Sequence, residues 1–221
     1  TLAQESLAAR GADPGRVGVF ANTIDVDAWI ERADRLRAGR PPEDGVVVLS
    51  VARLAPEKGL DLLVRAVAAA QDDRLRLVLV GGGPKRAALG ELAAALGVQA
   101  RFTGDLPQEE VAREYAQADV FALLSRREPW GVVVNEAAAS GLPLVLAEDV
   151  GAARDLLRDA DNGFLVPRED VARAAEALRA LAEDPELRRA MGARSRELVR
   201  GWGYDASVDA FVAAVRAAAS K

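Results

Sequence analysis

The sequence contains no cysteine and no histidine. Without them there is no disulfide framework, no thiolate nucleophile, no Ser–His triad and no Cys/His zinc site. No metal or cofactor is expected. A cysteine-free chain fits a reducing compartment, and the expected location is cytoplasmic. Lysine is nearly missing as well. Only Lys58, Lys85 and Lys221 occur, so almost all positive charge is arginine. Net positive charge is missing too: 29 basic against 34 acidic side chains give −5, which argues against a nucleic-acid partner. No apolar run reaches the roughly 20 residues that span a bilayer, and no signal peptide opens the chain. No basic amphipathic patch marks a membrane surface, so membrane contact is left open.

What is present is a globular composition. The 221 residues are 50% hydrophobic and 29% charged, enough for one domain or at most two small ones. The chain begins with Thr1, not Met, and we expect a piece of something longer.

The first 44 residues read differently from the rest. A short helix to about Arg10, a Gly/Pro turn and the apolar stretch Val17–Ala21 lead to a turn at Asn22-Thr23-Ile24-Asp25. Asp27–Ala38 has the pattern of a polar helix, and residues 39–44 have linker composition. From Val46 the pattern becomes regular. Val46–Val51 and Leu75–Val80 are continuous apolar runs, the mark of strands covered on both faces. Further strands are expected at Gln99–Thr103, Asp119–Leu124, Leu144–Ala147 and Gly163–Val166. Helices are expected at Gly59–Ala70, Lys85–Leu96, Gln108–Gln117 and Val132–Ser140, then near 169–183, 185–200 and 204–219. Strands alternating with helices predict an α/β fold, a Rossmann-like parallel sheet with helices on both faces. Ligands bind such sheets at the carboxyl ends of the strands, so the strand-to-helix loops carry the chemistry.

Two phosphate motifs are incomplete. After Val80 the run Gly81-Gly82-Gly83-Pro84-Lys85-Arg86 lacks the last glycine of a dinucleotide fingerprint. Neither Lys58 nor Lys85 is followed by the Ser or Thr of a P-loop. The glycine run reads more readily as a tight strand-to-helix turn than as a ligand contact.

Two other loops hold the candidate site. In Arg53-Leu54-Ala55-Pro56-Glu57-Lys58-Gly59, two cations five apart follow the first buried strand. An arginine fork and a lysine point charge together suit a diphosphate. The competing reading is a solvated loop in which the cations pair with Glu57. In Glu128-Pro129-Trp130-Gly131-Val132-Val133-Val134-Asn135-Glu136, two carboxylates flank a loop-to-helix junction. Gly131 permits close backbone approach, and the N–H groups at the helix start form an anion site. Glu136 can accept two vicinal ribose hydroxyls, and Glu128 the hydroxyls of a sugar. The competing reading is acids placed at a helix start by the macrodipole.

The strings RLAPEKGLDLL, LVLVGGGP, RFTGDLPQEEV, ADVFALLSRREPWGVVVNEAAASGLPLV and NGFLVP occur in this order. Together they resemble the carboxyl-terminal, donor-binding domain of retaining glycosyltransferases with the GT-B fold, specifically family 4 (glycosyl transferases group 1). The resemblance spans about residues 17–219. It implies that residues 1–44 are an interdomain linker and first elements, 45–200 the nucleotide-sugar-binding domain, and 201–221 a helix crossing back toward an amino-terminal domain. It further implies that Arg53 and Lys58 hold the donor diphosphate and that Glu128 contacts the donor sugar. Gly131, Val132 and Val133 match backbone donors to the phosphates, Glu136 the ribose-binding glutamate, and Leu106 and Gln108 the region that holds the base. The implied activity is transfer of a hexose from a nucleoside diphosphate sugar with retention, UDP being the expected nucleotide and GDP or ADP the alternatives. The alternative reading is a non-catalytic nucleotide-sugar-binding module, inactive alone for want of the acceptor domain. Ala52 stands where the family usually has glycine, Thr23 replaces the glycine of Asn-Gly-Val-Asp, and Val150-Gly151 replaces Gly-Gly.

Overall fold

The computed structural model describes residues 2–18, 22–40 and 45–219. Six strands form one sheet: β1 (Val46–Val51), β2 (Leu75–Val80), β3 (Ala100–Gly104), β4 (Val120–Leu123), β5 (Leu144–Ala147) and β6 (Gly163–Val166). Their order is β3-β2-β1-β4-β5-β6, and every neighbouring pair is parallel. Parallel neighbours need crossovers, and the helices supply them while covering both faces. Ten α-helices accompany the strands among the described residues. On one side α3 (Leu60–Ala70) packs against α4 (Arg86–Ala95) and α8 (Val171–Glu183). On the other, α2 (Val26–Arg37) packs against α5 (Gln108–Gln117), α6 (Val132–Ala139) and α9 (Pro185–Arg200). Between these layers Leu49, Leu63, Leu77, Leu79, Leu123, Leu144 and Leu146 are fully buried. This double coverage is why the central strands read as unbroken apolar runs.

The elements follow the sequence pattern closely. β5 and β6 fall on the expected residues, and so do α5 and α9. β3 starts at Ala100, not Gln99, and α4 at Arg86, not Lys85. One short helix, α7 (Ala153–Leu156), was not expected, because a single turn carries no periodicity. Of the amino-terminal expectations, residues 19–21 and 41–44 lie outside the described residues. The helix α1 (Leu2–Ala8) precedes a short 3₁₀ turn at Pro14–Arg16.

The helix read as polar is anchored at both of its ends. The Asp25 carboxylate caps α2 by accepting from the Ala28 N–H at 3.0 Å. Val26, Trp29 and Ala33 are buried along one face, and the Trp29 indole donates to Ser140 Oγ at 2.9 Å. Near its end Arg40 forks onto Asp119, with both contacts at 2.9 Å. The final helix, α10 (Tyr204–Ala219), leaves Tyr204, Val208, Phe211 and Val215 at least half exposed. No helix among the described residues is long and apolar enough to cross a membrane.

Candidate functional site

The order in which the chain adds strands reverses between β1 and β4. From β1 the chain moves toward β2, and from β4 toward β5, so the loops leaving these strands diverge and open a crevice. All the candidate residues sit at this end of the sheet, on the loops after β1, β3 and β4 and at the starts of α5 and α6.

The loop after β1 is fixed by backbone bonds to the loop after β2. Ala52 N–H donates to Val80 at 3.0 Å, Leu54 N–H to Gly82 at 2.8 Å, and Lys85 N–H to Leu54 at 2.9 Å. The loop after β3 joins this frame, because the Asp105 carboxylate accepts from Gly82 N–H at 2.8 Å. The result is an open cleft of about 610 Å³ walled by Arg53, Gly81 to Gly83, Asp105, Leu106 and Val133. The glycine run is therefore a tight turn, as its composition suggests, and also part of the cleft wall. Arg53 is exposed on the cleft and forms no ion pair among the described residues.

Lys58 is held differently. Its ammonium pairs with Glu128 Oε2 at 2.5 Å, both side chains being largely buried. Lys58 thus bridges to the Glu-Pro-Trp-Gly loop, not to the neighbouring Glu57 that the solvated-loop reading offered. Glu57 instead accepts two backbone bonds through its carbonyl, from Arg126 at 2.9 Å and Arg127 at 3.3 Å. Arg126 ties the same two loops together with a fork onto Asp61, both contacts at 2.7 Å, and a contact to Glu169 at 2.5 Å. The Arg126 hydrogen bond holds the Asp61 carboxyl below the usual carboxylate range. Between them, Gly59 has φ +60°, and a Cβ there would lie 2.0 Å from the Leu124 carbonyl. Only glycine allows the loops to come this close.

The loop from Glu128 to Gly131 is clamped from its other side by the segment after β5. Gly151 N–H donates to the Glu128 carbonyl and Ala152 N–H to that of Trp130, each at 2.9 Å. A Cβ on Gly151 would lie 2.0 Å from the Pro129 carbonyl. The Trp130 indole donates to Asn135 at 3.0 Å and its ring stacks 5.2 Å from that of Trp202.

Gly131 takes a left-handed conformation and starts α6 without any side-chain cap. The helix therefore presents backbone N–H groups and the positive end of its dipole at the crevice. Val132 is 40% exposed there and Val133 lines the cleft. Glu136 lies three residues beyond Val133, on the same helical face. It is half-buried, and burial pushes its carboxyl above the usual range, while a hydrogen bond from Tyr115 counteracts this. Leu106 reaches the cleft; Gln108, the first residue of α5, is exposed and does not line it. Two site residues carried no warning in the sequence. Asp105 reads as an ordinary turn acid, and Tyr115 as an ordinary core aromatic on an amphipathic helix.

The fold and crevice together define an α/β Rossmann-like protein with an uncapped helix start at its switch point. The chain belongs to the family Glycosyl transferases group 1, which matches residues 31–198. It is 36% identical over 220 residues to a D-inositol 3-phosphate glycosyltransferase of Thermomonospora curvata, covering 90% of this chain and 51% of that protein. The chain thus spans about half the length of such relatives. Among solved structures it is similar to the sucrose-phosphate synthase of Thermosynechococcus elongatus, with TM-score 0.72, 28% identity, and coverage of 86% of this chain and 49% of that one. It also shares its fold with Anabaena Alr3699/HepE in complex with UDP, with TM-score 0.81, 22% identity, and coverage of 99% and 61%.

Proposed function

We propose that this chain is the donor-binding part of a retaining hexosyltransferase, with a nucleoside diphosphate sugar, UDP-linked, as its donor. The observation that carries the reading is that Arg53 and Val133, in the first turn of an uncapped helix, line one cleft at the sheet's switch point, with Glu136 one turn behind Val133. Each group answers one part of the donor. Arg53 and the N–H groups of Gly131, Val132 and Val133 take the diphosphate. Glu136 takes the ribose hydroxyls, and Leu106, with Gln108 at the rim, borders the base.

The reaction breaks the bond between the anomeric carbon and the diphosphate. Negative charge grows on the departing diphosphate, and groups already aimed at it lower the barrier without reorganising. Lys58 and Glu128 form an ion pair beside the crevice. With the donor in place, Lys58 turns its charge to the leaving diphosphate, and Glu128 accepts from hydroxyls of the sugar. The retained configuration and the family 4 assignment rest on the string from Glu128 to Glu136. The activity of the sequence relatives, glycosyl transfer to an inositol phosphate by name, supports sugar transfer. Acceptor recognition is assigned to the half of those relatives that this chain does not span. Residues 45–200 are then the donor-binding body and α10 the segment that meets the other half, in a metal-independent enzyme of the cytoplasm.

A melting series with UDP, GDP and ADP tests the reading. A ligand that binds only the folded state stabilises it by about 2.7 kcal/mol at a hundredfold excess over Kd. UDP is expected to raise the Tm most, and Arg53→Ala to abolish the rise. Equal behaviour of Arg53→Ala and the parent would defeat the assignment of Arg53. A Tm unmoved by all three nucleotides, in a chain that also fails to bind them by calorimetry, would defeat the donor-site reading.

A further inference from the structure

Tyr115 lies outside the machinery assigned so far, yet its hydroxyl ends at Glu136. Its ring is fully buried on α5, edge-on to Trp29 at 5.7 Å and tilted against Phe121 at 5.9 Å. The packing fixes the ring and so fixes where the hydroxyl points. The hydroxyl oxygen lies 2.9 Å from Glu136 Oε2 and 3.1 Å from the Val133 carbonyl oxygen. A tyrosine has one hydrogen to give and here has two acceptors. When Glu136 is ionised the carboxylate is the stronger acceptor and takes it. When Glu136 is protonated, its own O–H can donate to the tyrosine oxygen, and the tyrosine hydrogen turns to Val133. Because Val133 lines the cleft, this hydroxyl joins the cleft wall to the carboxylate behind it.

Charged groups on the neighbouring elements, Arg53 apart, are engaged with other partners. On α9, Arg196 donates to the Ala139 carbonyl and pairs with Asp34 of α2. On α2, Arg37 donates to the carbonyls of Tyr115 and Ala118. Lys58 pairs with Glu128. Arg53 stands across the cleft at the end of β1. Among the described residues, burial and the Tyr115 hydrogen bond are the two influences on the Glu136 carboxyl.

We propose that Tyr115 is a positioning residue for nucleotide recognition: its hydroxyl pins Glu136 Oε2 so that the second carboxylate oxygen remains available to the two ribose hydroxyls of the donor. This rests on the reading of Glu136 as the ribose acceptor. Tyr115 itself does not touch the nucleotide. Burial and the neighbouring carboxylate push the Tyr115 phenol well above its ordinary value, so it remains a donor throughout the working pH range.

Carbon-13 titration of the Glu136 carboxyl, in the parent chain and in Tyr115→Phe, tests this without any ligand. The phenylalanine keeps the ring and removes the donor, so Glu136 should titrate at higher pH. An unchanged midpoint would overturn the proposal. If Tyr115→Phe does not fold, global 3-fluorotyrosine incorporation replaces it. The more acidic phenol is a stronger donor, and the midpoint should then fall; no fall would again overturn the proposal. With UDP and 2′-deoxy-UDP as probes, Tyr115→Phe should bind UDP about tenfold more weakly at neutral pH. It should recover part of that loss at higher pH, and its preference for UDP over the deoxy analogue should shrink. Glu136→Gln separates the two ideas. If that variant keeps the ribose preference, the ribose reading of Glu136 fails. If it loses the preference while Tyr115→Phe keeps it and titrates like the parent, only the role of Tyr115 fails.

Discussion

Lys58 and Glu128 show how a charge is kept ready in an enclosed place. Each neutralises the other at 2.5 Å, so neither is left buried and unpaired. If Lys58 stabilises the leaving diphosphate, Lys58→Ala removes one preorganised donor and should slow transfer about 10²–10³-fold. Steady-state turnover in a glycosyltransfer-competent protein containing this chain checks this, and unchanged kcat would refute it. Glu136 makes a second prediction at the same scale. Its folded pKa is raised by burial. A group of that kind adds stability below its unfolded pKa, and the addition is lost as pH rises through the folded value. Ionised Glu136 is therefore a cost to the fold at neutral pH and above. Glu136→Gln should raise the Tm at pH 8, with the advantage shrinking on acidification, while nucleotide binding weakens. This is the trade between stability and function expected at a binding site. A Tm difference that does not vary with pH would show that the carboxylate's ionisation is not the cause.

At the scale of elements, the decisive contacts are between loops. The loops after β1 and β4 close on each other through Arg126, through the Glu57 carbonyl and across Gly59. A Cβ at Gly59 would meet the Leu124 carbonyl at 2.0 Å in a left-handed conformation. The conformational part alone costs about 1–2 kcal/mol, and the collision adds to it. Gly59→Ala should therefore lower stability by more than about 2 kcal/mol in a urea melt and displace Lys58 from Glu128. A variant within experimental error of the parent would mean that the loops are not held this closely.

These loop contacts also mark the boundary of what the sequence discloses. The strands β1, β2 and β5 are legible because burial on both faces demands unbroken apolar runs. The helices α5 and α9 are legible through their 3.6-residue period. The Arg53–Lys58 loop and the Glu128–Glu136 string stand out because charges and glycine cluster at strand ends. The pairing of Lys58 with Glu128, 70 residues apart, is set by which strands neighbour each other, and no local pattern carries it. Tyr115 is hidden for a different reason. Its ring satisfies the amphipathic pattern of α5, and only the three-dimensional path of its hydroxyl reveals a polar duty. The short α7 escapes notice because one turn has no period.

At the scale of the molecule, the loops at the sheet's carboxyl end gather the candidate groups above a core that helices cover on both faces. The exposed apolar side chains of α10 lie apart from this crevice in the sequence, beyond the Trp202 that stacks on Trp130. That contact ties the segment just before the last helix to the loop bearing Glu128. In the proposed function the crevice recognises a nucleoside through its diphosphate. Calorimetric titration of the chain with UDP and with uridine, at matched ionic strength, tests it most directly. UDP is expected to bind, uridine to bind far more weakly, and Arg53→Ala to reduce UDP to the level of uridine. Equal affinity for UDP and uridine, or binding of UDP that is indifferent to Arg53, would contradict it.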